Sequence, residues 1–225
     1  MHSRIPSVLL AALGAAAVLG AEDGEVFLRE GGCRASGQGA EFHCPEGSEL
    51  AAVGCDRGAI RDDLAALTPA APIALCLEYS TRGPQRGEYL QGPRGLRPLY
   101  SRFVVAEADG FHLLGSVEAL RRRYAPIESA DEALAFALAA TGLVELRGFE
   151  RIETYRYFLD EISDTRVSEE EGGYLVRNLK HYKQFGCGPH PTSLVTVRVT
   201  TEGTVEELSR ERAFENPATD RLCVD

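Results

Sequence analysis

The chain contains no tryptophan and a single methionine, and of its 24 basic residues only Lys180 and Lys183 are lysines. Without tryptophan, a sugar-stacking surface would have to be built from tyrosine or phenylalanine. An arginine bias this strong fits a GC-rich, bacterial coding sequence and carries no mechanism. Signature motifs of catalysis are missing too: there is no Gly-x-Ser-x-Gly elbow, His-Glu-x-x-His helix, phosphate-binding loop or EF-hand loop. Beyond the first 21 residues, no apolar run is long enough to span a bilayer.

Those first 21 residues read as a secretory signal peptide. Arg4 gives a positive start, Ile5 to Leu19 is mostly apolar, and Leu19-Gly20-Ala21 offers small residues for cleavage. The expected mature chain has 23 basic against 34 acidic residues, a net charge of −11. That balance argues against nonspecific nucleic-acid binding, which depends on neutralising phosphates. It fits a soluble protein that resists self-association. The expected location is secreted or periplasmic, with no stable membrane span once the signal is removed.

Six cysteines, Cys33, Cys44, Cys55, Cys76, Cys187 and Cys223, all fall in the mature part. An even number in an exported chain reads as disulfides. Four lie between positions 33 and 76, which leaves their pairing open but suggests two bridges within that group and one between Cys187 and Cys223. Spacings of 11, 11 and 21 residues lack the close pairs that place two thiolates on one zinc, so no metal and no cofactor is expected.

Residues 22–80 read as a small, loop-rich, disulfide-stapled module, with a brief helix at Arg61–Leu67 stopped by Pro69. Residues 81–101 repeat Gly-Pro pairs (Gly83-Pro84, Gly92-Pro93) and read as turns or a linker. Arg82, Arg86, Arg94, Arg97 and Arg102 form a basic patch there, taken as a solvated face. Residues 102–225 carry the clearer pattern. A hairpin is expected around Ala108-Asp109-Gly110, then a short helix capped by Ser116. Ser129-Ala130-Asp131-Glu132 is a capping box opening an apolar helix over Ala133–Ala140, with Gly142 as its left-handed stop. A helix apolar on all sides must be buried. Strands are expected at Arg151–Phe158, Gly173–Tyr182, Ser193–Thr200 and Thr204–Leu208, with Ser168–Glu171 as a solvated loop. The predicted fold class is therefore α+β: a C-terminal helix packed on an antiparallel sheet, preceded by the small cysteine-rich module.

The capped alanine-rich helix, an aromatic strand, the Val195/Val197/Val199 strand and the Gly203-Thr204-Val205 hairpin make residues 129–208 resemble a PepSY-type domain. A cystatin-like helix-on-sheet fold shares the pattern. The resemblance implies an exported, noncatalytic module, and some members of that family are proposed to restrain secreted proteases.

Residues 185–193, Phe-Gly-Cys-Gly-Pro-His-Pro-Thr-Ser, come within one letter of a thioredoxin-like dithiol. A reactive thiolate needs a helix N-terminus or a basic partner, whereas this stretch lies between two strand patterns and Cys187 has Cys223 as a partner. It reads as a disulfide-tied turn, and no catalytic residue is assigned. His181, His190, Tyr174 and Tyr182 are the candidate binding residues. The expected function is an exported, disulfide-stabilised, noncatalytic protein that binds or restrains a secreted or envelope protein. The alternative is a hydrolase or thiol-redox enzyme with its site near Cys187 and His190.

Overall fold

A computed structural model describes residues 21–36, 40–79, 89–90, 99–182 and 186–224. The expected signal segment up to residue 20, the Gly-Pro turns and Lys183 lie outside the described residues. The element order is α1 (Ala21–Glu30), β1 (Arg34–Ala35), β2 (Glu41–His43), α2 (Glu49–Ala52), β3 (Arg57–Ile60), β4 (Ile73–Tyr79), β5 (Leu99–Glu107), β6 (Gly110–Leu114), α3 (Val117–Tyr124) and α4 (Ala130–Thr141). There follow β7 (Arg156–Tyr157), β8 (Arg166–Glu170), β9 (Gly173–Tyr182), β10 (Gly186–Cys187), β11 (Thr192–Thr200), β12 (Val205–Glu215) and β13 (Cys223–Val224). No helix among the described residues is long and apolar enough to cross a membrane.

The α+β expectation is overturned. The fold is mostly β: six antiparallel strands in the order β1-β2-β3-β4-β5-β6 form one sheet, and five in the order β7-β12-β11-β9-β8 form another. Helices among the described residues are short, the longest having 12 residues, and the cysteine-rich stretch is no separate module. Its strands β3 and β4 continue through β5 into β6, with Ile73 to Tyr79 pairing residue by residue with Val105 to Leu99. Two- to four-residue strands such as β1, β2 and β3 are too short to show a period of two, so they read as loop in the sequence.

The first sheet is buried on both faces. Ile73, Phe103 and Val105 join the main core, while Ala74, Cys76 and Val104 join a second core with Phe27, Phe42 and Leu50. Cys33–Cys44 and Cys55–Cys76 bridge within that second core. Gly58 on β3 is opposite Cys76, and a Cβ there would sit 2.1 Å from the Leu75 carbonyl oxygen.

The capping box forms as expected: Ser129 Oγ accepts from the Glu132 amide, and the Glu132 carboxylate accepts from the Ser129 and Glu128 amides. Gly142 ends α4 at φ 65°. Ala135 through Ala139 are buried without a break, so every side of the helix is covered. Val195, Val197 and Val199 on β11, with Tyr174, Val176 and Leu179 on β9, belong to the same core as the inward residues of the first sheet. Asn178 takes φ 63° on β9, where the register with β11 shifts; asparagine tolerates the left-handed region better than most residues.

Five local expectations need correcting. Arg102 is buried rather than solvated, because its guanidinium donates to the Gly54 carbonyl at 3.0 Å and to Glu78 at 3.2 Å, with the Tyr89 ring 4.8 Å away. The other four arginines of that patch lie outside the described residues. Ser168–Glu171 is largely strand β8, whose charged residues suit an edge. Arg151–Phe158 is strand only at Arg156–Tyr157, and β12 runs on to Glu215 through a bulged, charged stretch. The brief helix expected at Arg61–Leu67 is a 3-10 turn, Asp62–Leu64.

The close approach at Gly58 leaves no room for a methyl group. Gly58→Ala should destabilise the protein by at least about 2 kcal/mol in urea unfolding, with the β3 and β4 amides losing protection first. A Tm within 1–2 °C of wild type, on the order of the scatter among neutral surface variants, would contradict the β3–β4 packing.

Candidate functional site

The second sheet ends in two cross-strand rows. Thr192 pairs with Tyr182 on β9 and with Phe214 on β12, and Phe214 pairs with Tyr157 on β7. One position along, Ser193 pairs with His181 on one side and Arg212 on the other. Side chains alternate along a strand, so His181 and Ser193 share a face with Leu179 and Val195, which enter the main core further along.

The first row is apolar and largely covered. Phe214 packs with Phe149, Tyr155 and Tyr157 at centroid distances of 5.5, 6.1 and 5.9 Å, around Leu146 and Leu194. The segment over it is pinned by Asp164, which accepts from the amides of Gly148 and Phe149 at 2.8 Å each. These bonds, Phe149's first, hold the Asp164 carboxyl below its usual range. Asn178 donates to the Ser163 carbonyl and hydroxyl and so fastens the same segment to β9.

Polar groups stand on either side of that row, Ser193, His181 and Arg212 on one side and Glu215 with Arg156 on the other. Glu215 pairs with Arg156 across β12 and β7, and its side chain is fully buried. Burying a lone carboxylate costs on the order of several kcal/mol, and here both oxygens are taken: Arg156 Nη1 donates to Oε1 at 2.6 Å and Arg212 Nη2 donates to Oε2. The Arg212 guanidinium also lies 4.0 Å from the centre of the Phe158 ring. Both arginine side chains nevertheless stay open to solvent, Arg156 at 56% and Arg212 at 45% exposure, and Phe158 is 41% exposed. A buried acid thus holds two half-exposed arginines in fixed positions.

His181, opposite Ser193, is half-buried. Its charge adds to the pull of Arg210, the larger influence, in lowering the Glu207 carboxyl below its usual range. Tyr182 ends β9 at 40% exposure, with Lys180 Nζ 5.2 Å from its ring centre. Tyr174 does not join them. It is buried under the core seven residues back along β9, roughly 20 Å away at about 3.3 Å per residue. Burial raises its phenol above the usual range, helped by Glu169, Glu132 and Glu128. His190 sits on the connection from β10 to β11, and its Nε2 donates to the Leu222 carbonyl at 3.0 Å. Cys187 is bonded to Cys223 beside it, and no cysteine is free.

Arg156, Phe158, Arg212 and Glu215 escaped the sequence reading. The expected strand ended at Leu208 because Arg210–Arg212 is charged throughout; the one signal available was an acid three residues beyond an arginine, just before Asn216-Pro217.

Two other places carry polar groups. A cleft of about 340 Å³ is lined by Asp56, Arg57, Glu78 and Tyr79, but its buried Arg102 is occupied in tying β5 to Gly54 and Glu78. Glu107, Asp109 and His112 bring three potential metal-ligand atoms within 4.8 Å of one another at the β5–β6 turn, all exposed. Glu107 is already paired with Arg123 at 2.5 Å and Asp109 with His112 at 2.8 Å. Comparison of the chain with protein-family models, curated proteins and solved structures finds no match, so nothing there bears on the PepSY-type resemblance.

Two predictions follow from the geometry of this end. Arg156→Ala/Arg212→Ala, which strands the Glu215 charge, should cost about 3–5 kcal/mol. Either single change leaves one partner and should cost clearly less, and equal costs for single and double variants in urea unfolding would contradict the shared carboxylate. Asp164 supplies the second test. A depressed folded pKa contributes stability above the unfolded value, about 3.9, and loses it as pH falls through the folded value. The Gly148 and Phe149 amides should therefore exchange faster, relative to the core, in acid, and at neutral pH in Asp164→Ala. Unchanged protection in that variant would show that the loop is held otherwise.

Proposed function

We propose that this is an exported, disulfide-stabilised, noncatalytic protein that binds or restrains a partner in the periplasm or outside the cell. Three disulfides support an oxidising location, since such bonds form and persist outside the reducing cytoplasm. The binding part of the reading rests on one observation above the others: the Glu215-held arginines and Phe158 form a fixed, half-exposed surface. Arginine and aromatic residues are enriched at interface hot spots, and pre-set side chains lose little freedom when a partner docks.

The reading is tested in the producing cell. Alkylation of the intact protein should label no cysteine before reduction and six after it, and fractionation should recover it outside the cytoplasm. A photo-crosslinking residue at position 158 should give a discrete adduct, whereas one at Val117, an exposed position on α3, should not. Prompt labelling without reduction, or identical crosslinking patterns from the two positions, would contradict it.

A further inference from the structure

We infer that the polar cluster around Glu215 recognises carboxylates on an acidic segment of a partner protein; this rests on the partner-binding reading above. One arginine would neutralise one buried carboxylate. Two are present, so the group Arg156–Glu215–Arg212 carries a surplus positive charge. Each guanidinium has five N–H donors in a planar fork, and the bond to Glu215 uses one nitrogen from each. The remaining donors belong to side chains that are about half exposed.

What distinguishes these arginines from ordinary surface ones is that they are fixed. A free surface arginine loses rotamer freedom whenever it binds. Here Arg212 is held at one end by a carboxylate that cannot leave the interior, and along its plane by Phe158 at 4.0 Å. Planar forks match carboxylates in two-point contacts. Ser193, directly opposite Arg212, adds a hydroxyl on the same face. The other acids of β12 do not compete for these donors: Glu207 is engaged by Arg210 at 2.7 Å, Glu206 lies 3.9 Å from Arg198, and Glu211 is opposite Leu194, on the other face of the strand from Arg212. The surface therefore offers donors and leaves acceptors to the ligand. The chain's overall negative charge opposes an acidic partner at long range, but salt screens that beyond about 8 Å, and contact pairings decide the outcome.

The test uses the mature protein with fluorescein-labelled hexaglutamate and its neutral counterpart, hexaglutamine, by fluorescence anisotropy at physiological salt. Wild type should prefer hexaglutamate by about tenfold or more, the scale of one good charge-assisted contact. Arg212→Gln and Arg156→Gln should abolish the preference. Arg212→Lys should not restore it, because an ammonium lacks both the fork and the stacking on Phe158. Arg166→Gln, at an exposed position on β8, should leave it intact. Should Arg212→Gln fail to give a wild-type circular dichroism spectrum, Phe158→Ala loosens the same guanidinium with its charge retained and should weaken hexaglutamate several-fold. Equal binding of the two peptides by wild type, a preference that survives Arg212→Gln in a folded protein, or tighter binding of heparin than of hexaglutamate would overturn the inference. A position-158 crosslink without hexaglutamate preference would remove the carboxylate chemistry alone. Hexaglutamate preference without a crosslink would remove the partner reading.

Discussion

A helix with no polar side cannot rest on one surface. Ala130–Thr141 buries Ala135 through Ala139 consecutively, so apolar groups must meet it from all directions. The second sheet supplies one cover through Val176, Leu179, Val195, Val197 and Val199. The other comes from α3, the Asp62–Leu64 turn and the inward residues of the first sheet, Ile73, Phe103 and Val105. That requirement ties two sheets into one core. It also explains why the cysteine-rich N-terminal stretch cannot be a separate module: its strands form the sheet that closes the helix on its far side.

The sequence was most legible where local chemistry decides structure alone. The Ser129/Glu132 capping box, the Gly142 stop, the Ala108-Asp109 hairpin turn and the alternating valines of β11 all carry their own geometry. It was least legible where structure depends on distant partners. Arg102 looked like surface because nothing within its own strand announces Gly54 or Tyr89. Bulges opposite Thr192/Ser193 and Thr196/Val197 break the alternation of β12, so the expected strand stopped at Leu208. Tyr182 and His181 stand together at the end of β9, while Tyr174 on the same strand is buried in the core. Their distance follows from strand length, which a sequence-level grouping of nearby aromatics overlooks.

The far end of the second sheet carries the functional argument because there burial and exposure are combined. Glu215 is shielded completely, yet the two cations that satisfy it reach solvent. The aromatic layer on the opposite face, built on Phe214 and pinned by Asp164, keeps β7 against β12 and so keeps Arg156 in line with Glu215. The Cys187–Cys223 bridge and the His190–Leu222 bond fold the tail against the β9–β11 connection at the same end. Tail, aromatic layer and arginines thus support one another, all resting on a sheet whose inner face is fixed by the wrapped helix.

Native-state hydrogen exchange of α4 tests that dependence most directly. If the helix is enclosed by both sheets, the amides of Ala135 to Ala139 exchange only through global unfolding. Weakening the first sheet by removing the Cys55–Cys76 bridge then lowers their protection by the full loss of stability measured in denaturant. If those amides keep their protection while the first sheet opens, the helix belongs to the second sheet alone, and the single wrapped core is contradicted.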